Sequence, residues 1–211
     1  MSKISSLFKF KRSKNTKRYA YYNHENQVQC LDDLVKVFNS KAKIEYTTNE
    51  LIKHSGLALA DINENSLLDI LEDPDFILDD NDDFKNYKVL FYRRTVENFI
   101  FLLQFHFLKG NFVFVSNRIS SKGVLTKKER ADLILNMGSK YFDEELKLDL
   151  SKKFDIKLTD KASNFLKVID EVDFRINYIN FSAKNQQLIN KYVSEIDIPE
   201  DDLQSRIGEL L

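Results

Sequence analysis

Apolar and polar residues alternate with a period of two through the middle of the chain. Residues 87–94, 98–108 and 112–119 therefore predict three consecutive β-strands. Gly110 falls between the last two, where a tight hairpin turn requires positive φ. The middle strand carries a row of large apolar residues on one face, which we expect to be buried. Its members are Phe99, Phe101, Leu103, Phe105 and Phe107.

Helical spacing of apolar residues precedes these strands. Leucine, valine and phenylalanine recur at helical offsets near 29–40, which predicts a first short helix. Thr47 and Glu50 have the spacing of a capping box and predict the start of a second helix. Residues 66–72 predict a third, which ends at Pro74, because the residue before a proline disfavours the helical conformation.

A second series of elements follows the strands. Thr126 and Glu129 form another capping-box pattern, which predicts a helix to about residue 142. A last helix is predicted after Ser182. Three further strands are predicted near 153–158, 164–169 and 172–181.

The order of these elements predicts an α+β fold with one or two antiparallel sheets and helices on one face. It contains two loosely repeated units, each with helices and three strands. We place the first unit at 29–120 and the second at 124–195. Residues 1–28 are expected to form a mobile basic arm and 196–211 a frayed acidic tail. Whether the two units form one sheet or two stays open.

Residues 47–120 resemble the small α+β module of the BamE-like and β-lactamase-inhibitor-protein-like group. The resemblance rests on two short helices, the break at Asp73-Pro74 and the three-stranded meander that follows. A degenerate second copy would span 124–181. Where that group has a glycine before the proline, this chain has Glu72-Asp73. The resemblance implies a binding protein that grips a partner with a sheet face, and it assigns no functional residue.

The net charge of −1 conceals an uneven distribution along the chain. Residues 1–24 carry +7 and no acid, and the remainder carries −8. Between Lys53 and Lys85 there is no lysine or arginine, and we call 61–83 the acidic segment. Such asymmetry favours recognition of a charged partner. The acids of this segment are Asp61, Glu64, Asp69, Glu72, Asp73, Asp75, Asp79, Asp80, Asp82 and Asp83.

The single cysteine and the lack of a long apolar run predict where in the cell the protein is located. Cys30 is the single cysteine, so no internal disulfide forms, which favours a reducing environment. The first residues lack the basic, apolar and small-residue order of a secretory signal. No apolar run reaches the roughly 18 residues that a membrane helix needs. We therefore expect a cytoplasmic protein without a membrane span.

The pattern offers no constellation for catalysis. The three histidines lack metal-ligand spacing, and the glycines are isolated, so no phosphate-binding loop is predicted. Residues 79–83 begin like a calcium loop, but Phe84 and Leu90 occupy the positions that require glycine and glutamate. Gln104 and His106 share a strand face and are interpreted as half-exposed sheet residues. We expect no catalytic residue, metal or cofactor, and no enzymatic activity.

These observations favour a non-catalytic protein-binding module. Its most concrete version is an immunity (antitoxin-like) protein that covers a basic toxin with the acidic segment and a sheet face. The alternative is a nucleic-acid-associated protein that uses the basic and aromatic residues of 1–22. The predicted partner-binding residues are Asp75, Asp79, Asp80, Asp82, Asp83, Tyr92, Arg93 and Arg94.

Overall fold

The structure, a computed structural model, describes residues 16–79, 84–142 and 146–196. Within these residues, eight strands form one mostly antiparallel sheet with helices packed around it, which confirms the predicted α+β class. The strands of the sheet are β1 (Ile44–Thr47), β4 (Phe76–Leu78), β5 (Tyr87–Val96), β6 (Phe99–Leu108), β7 (Asn111–Ser121), β8 (Asp155–Thr159), β9 (Phe165–Asp170) and β10 (Phe174–Ile179). Two short strands, β2 (Lys53–His54) and β3 (Leu57–Ala58), form a separate hairpin. The helices are α1 (Thr16–Glu25), α2 (Leu31–Phe38), α3 (Glu64–Leu71), α4 (Lys127–Gly138) and α5 (Ala183–Ile196), with a 3-10 turn at Leu59–Asp61.

The central meander forms as predicted. β5, β6 and β7 pair antiparallel in sequence order, and Leu108 faces Asn111 across a two-residue turn. Lys109 and Gly110 both have positive φ, 48° and 74°, which is the backbone that such a turn requires. Leu103 and Phe105 are buried on the predicted face.

The two predicted units share one sheet rather than forming separate ones. The strand order is β1-β8-β9-β10-β7-β6-β5-β4. β7 pairs antiparallel with β10, and β1 from the first half pairs parallel with β8 from the second. Strands of both halves are therefore interleaved, and the structure does not confirm a repeat of two units.

The helices lie on both faces of the sheet, which corrects the prediction of one covered face. The inner strands are apolar on both sides, so each side must be covered to exclude water. The first face, which holds Leu103 and Phe105, is covered by α3 and α4. The second face, which holds Leu102 and Leu108, is covered by α1, α2 and α5.

The helix predicted from Thr47 is wrong. Thr47 ends β1, and the backbone N–H of Thr48 donates to Thr159 on the neighbouring strand at 2.9 Å. Gly56 forms the turn of the β2–β3 hairpin with φ 84°. The capping box of α4 is confirmed, since Thr126 and Glu129 exchange side-chain and backbone hydrogen bonds.

The end of the predicted basic arm is folded. Residues 16–25 form α1, and Tyr22 stacks on Phe76 with ring centroids 4.6 Å apart. Val28 is buried in the same core. These apolar contacts explain why the arm prediction is wrong from residue 16 onward. Residues 1–15 and the predicted tail 197–211 lie outside the described residues.

In the part of the chain that the structure describes, no helix is long and apolar enough to cross a membrane.

Candidate functional site

The acidic segment lies along one edge of the sheet. α3 runs over β5 on the first face and is held at both ends by basic side chains. Near its start, Lys88 Nζ is 2.9 Å from the carboxylate of Glu64. At its end, Arg94 donates to the carbonyl of Leu71. β4 is the last strand at this edge. Helix α3 and the edge strand therefore present the acids of 61–79 together.

Three of the predicted partner-binding residues lie next to one another at this edge. The carboxylate of Asp75 accepts a hydrogen bond from the backbone N–H of Arg93 at 2.6 Å and lies 3.6 Å from Arg94 Nη1. The carbonyl of Asp75 also accepts from Arg18 of α1. Asp75 thus fixes the start of β4 and is neutralised by the chain's own cations.

The other predicted residues behave differently. The prediction that Tyr92 binds a partner is wrong. Its side chain is 0% exposed in the core of the first face and cannot reach a partner. Asp79 follows β4 and lines a small cleft of about 280 Å³ together with Lys88 and Lys109. Asp80, Asp82 and Asp83 lie outside the described residues.

Four acids at this edge have no ion-pair partner among the described residues. Asp61, Asp69, Glu72 and Asp73 are exposed, and they form no ion pair with any residue that the structure describes. Beside them on α3 and β4, three aliphatic side chains are also exposed, by 42–46%. These are Leu68, Ile70 and Ile77. We call these seven residues the acidic edge.

A second site, which the sequence did not predict, lies on the opposite face. A row of polar residues crosses four adjacent strands in register. Gln104 of β6 faces Ser116 of β7, Ser116 faces Asn177 of β10, and Asn177 faces Lys167 of β9. All four are at most 7% exposed. Polar residues in the middle of an apolar sheet require hydrogen-bond partners.

The two ends of this polar row have such partners. At the β6 end, Gln104 accepts from the backbone N–H of Gln27 at 3.0 Å and donates to the carbonyl of Glu25 at 2.8 Å. At the β9 end, the ammonium of Lys167 donates to the carbonyl of Lys41 and to Asp155. The segments after α1 and α2 are thereby anchored on the sheet.

The middle of the row opens into a groove of about 530 Å³, which we call the polar groove. Asn177 lines it, and neither Asn177 Oδ1 nor Ser116 Oγ has a hydrogen-bond partner among the described residues. Gln27 Oε1 and Ser40 Oγ line the same groove and are likewise buried and unpartnered within the described chain. The residues Asn177, Gln27 and Ser40 line the groove, so three buried oxygen atoms without a donor among the described residues surround one opening.

Charged residues of both signs surround the mouth of the polar groove. Arg118 bridges Glu25 and Asp173, and Arg175 donates to Asp173 at 2.9 Å. Burial opposes ionisation of Asp173, but the hydrogen bond from Arg175 and the charge of Arg118 outweigh it, so its pKa is lowered. Asp33, Lys36 and Glu171 complete the mouth.

Two histidines are buried in the cores rather than placed at a site. His106 stacks on Phe114 at 3.9 Å, and its Nδ1 lies 2.6 Å from the hydroxyl of Tyr87. The interpretation of His106 as half-exposed is therefore wrong, because the second face is covered by helices. Burial lowers the pKa of His54 to about 4. Within the described residues, no group of three potential ligands is placed to hold a metal ion.

The polar groove left one signal in the sequence. Gln104 shares its strand face with the apolar residues Leu102 and Leu108 as well as with His106. A polar residue on a face that also carries such residues indicates either exposure or a specific partner. Only the pairing of β7 with β10 shows that Ser116 and Asn177 continue the same row.

Comparisons with known proteins add little to this picture. No protein-family model matches the chain, and no curated protein matches it. Among solved structures, the chain is similar to a cysteine-rich secretory protein from Staphylococcus aureus subsp. aureus Mu50, with a TM-score of 0.36 and 12% identity. The match covers 67% of this chain and 50% of that protein, so the chain spans about half its length. A TM-score of this size does not indicate a shared function.

Proposed function

We propose that this chain is a non-catalytic protein-binding module that docks a basic surface of another protein on its acidic edge. The proposal is supported by four exposed acids that form no ion pair with the described residues and that lie beside three exposed aliphatic side chains of α3 and β4. Carboxylates that have no internal partner are free to attract a cationic surface. Aliphatic side chains among them supply the apolar contact area that a stable interface needs.

The docking surface differs from the sheet face that the resemblance implies. Helices α3 and α4 cover the first face, and α1, α2 and α5 cover the second. A partner therefore meets α3 and the outer edge of β4 rather than the sheet itself. β4 has only three residues, which limits pairing with a foreign strand and favours contact through side chains.

The most specific form of the proposal is an immunity protein whose partner is a basic toxin. In that form the acidic edge covers cationic residues that the toxin uses on its own target. Charged residues at such an interface raise the association rate by long-range attraction. Inhibition of a toxin encoded next to this gene tests this form separately from protein binding in general.

A charge-reversal variant tests the proposal. Proteins captured from the source organism are identified by mass spectrometry, and association with the purified partner is then measured at several salt concentrations. Replacing Asp69, Glu72 and Asp73 with lysine should slow association at least tenfold at low salt, and the difference should shrink as salt rises. Melting temperature and circular dichroism report whether the variant is folded.

The matched control reverses three exposed acids elsewhere, Glu50, Glu97 and Asp132. It changes net charge by the same amount and should leave the association rate close to that of the wild type. If the acidic-edge variant associates as fast as the control, the acidic edge does not bind the partner. Retention on single-stranded DNA that disappears on deletion of residues 1–22 would instead support the nucleic-acid alternative.

A further inference from the structure

We propose that the polar groove on the second face binds a small zwitterion of the amino-acid class, with its ammonium group against the amide oxygens of Asn177 and Gln27. This site is separate from the acidic edge, because it lies over β9 and β10 and is lined by the turn between them and by α2. It therefore assigns the chain a binding activity beyond the proposed protein contact.

The floor of the groove selects a hydrogen-bond donor. Amide oxygens only accept hydrogen bonds, and those of Asn177 and Gln27 are buried without a donor in the described chain. The hydroxyl of Ser40, also unpartnered there, can accept as well. An ammonium group presents three donors and matches this arrangement. A sulfate presents only acceptors and would be repelled by the same oxygens.

The contrast between the ends and the middle of the polar row supports a ligand rather than a packing defect. The fold provides partners for Gln104 and Lys167, which flank the groove in the same row. Asn177, only 2% exposed, has an oxygen without a donor where the groove opens. Burying an unsatisfied polar atom destabilises a protein, so a leucine at this position would be more favourable for folding alone.

The mouth of the groove matches the second charge of a zwitterion. Lys36 and Arg175 line it and supply cationic donors for a carboxylate. Asp33, whose side chain is 30% exposed, adds a negative charge for the ammonium group. The volume of about 530 Å³ lies within the range of about 300–1,000 Å³ that is typical of small-molecule sites. Charge of both signs distinguishes this mouth from an anion site or an apolar pocket.

Calorimetry and thermal shift with the twenty standard L-amino acids, each added separately, test the proposal. At least one amino acid should bind saturably and raise the melting temperature, since selective binding to the folded state stabilises it. The N-acetyl derivative of the best amino acid lacks the ammonium group and should bind at least tenfold more weakly. Equal binding of the derivative, or no binding by any of the twenty, would overturn the proposal.

Two asparagine variants separate a functional from a structural role. Asn177→Leu removes the unpartnered oxygen and should raise the melting temperature without ligand while abolishing binding. Asn185→Leu is the matched control, because Asn185 is also 2% exposed but donates to the carbonyls of Phe112 and Asn180. The control should lower the melting temperature and leave the affinity unchanged. A fall in melting temperature for Asn177→Leu that matches the control would show that Asn177 serves the fold.

A third variant keeps the test valid if Asn177→Leu does not fold. Asp33→Asn preserves the shape of the side chain on α2, removes its charge and weakens its contacts with the backbone N–H of Gln29 and with Lys36. Affinity for the bound amino acid should fall several-fold, because one of the groups that attract the ammonium is lost. Unchanged affinity in this variant would contradict the placement of the ammonium group.

Discussion

Protonation of His54 should destabilise the folded protein between pH 6.5 and pH 4. The ring is buried on the first face, edge-on to Phe105 and Tyr178. Its Nε2 lies 3.1 Å from Asn117 Oδ1, and since that oxygen only accepts, Nε2 carries the proton. Nδ1 then accepts from the hydroxyl of Ser55 at 3.0 Å. Burial of the neutral ring lowers the pKa from 6.5 to about 4.

The magnitude follows from the difference between the two pKa values. At pH values between them the unfolded chain binds a proton at His54 that the folded chain does not. The contribution of neutral His54 to the free energy of unfolding is therefore fully present above pH 6.5, and it is lost as the pH falls towards 4. With about 1.4 kcal/mol for each pKa unit, the loss is about 2 kcal/mol at pH 5 and about 3 kcal/mol at pH 4.

Urea unfolding of the wild type and of His54→Gln at pH 7, 5 and 4 measures this loss. The variant should be less stable at pH 7, but its free energy of unfolding should fall by about 2 kcal/mol less than that of the wild type between pH 7 and pH 5. His106, whose pKa burial also lowers, contributes to both proteins and cancels in the comparison. An identical pH dependence in both proteins would refute the reasoning.

Two further changes test the backbone and the core. Glu72 ends α3 with φ 62° and ψ −157°, a region that only glycine adopts without strain. Glu72→Gly should therefore raise the free energy of unfolding by about 1 kcal/mol, whereas Glu72→Ala should not, as urea titration would show. Leu103→Ala should lower it by about 2–5 kcal/mol, because Leu103 is buried on the first face. In the same assay, Val96→Ala should change the free energy of unfolding by less than about 1 kcal/mol, since Val96 is 56% exposed. Similar losses in the two variants would place Leu103 outside the core.

The sequence predicted the elements that depend on interactions between residues close together in the chain. Alternation of period two located the meander, and Gly110 located the turn between β6 and β7. The register shift between His106 and Phe107 could not be predicted in this way. The capping box at Thr126 located α4, because side chain and backbone exchange hydrogen bonds within three residues.

The sequence could not predict contacts between distant segments. The same capping spacing at Thr47 was misleading, because pairing of β1 with β8 decides the conformation there. Helix α1 was read as an arm because most of its residues are polar, and the burial of Tyr22 depends on Phe76 and Phe91.

The polar groove stayed hidden for the same reason. The polar residues of the row lie on four different strands, and no strand by itself shows that they are neighbours. Only the register of four strands places them in one row.

The parallel pair of β1 and β8 also constrains how the chain folds during synthesis. Ile44 of β1 faces Ile156 of β8, 112 residues later. At about 5–20 residues per second, the ribosome takes about 6–22 s to add the missing strand. Throughout that time the backbone of β1 has no partner strand, and such edges are prone to pair with other chains. Slow translation of the second half therefore lengthens the period in which β1 can pair with another chain.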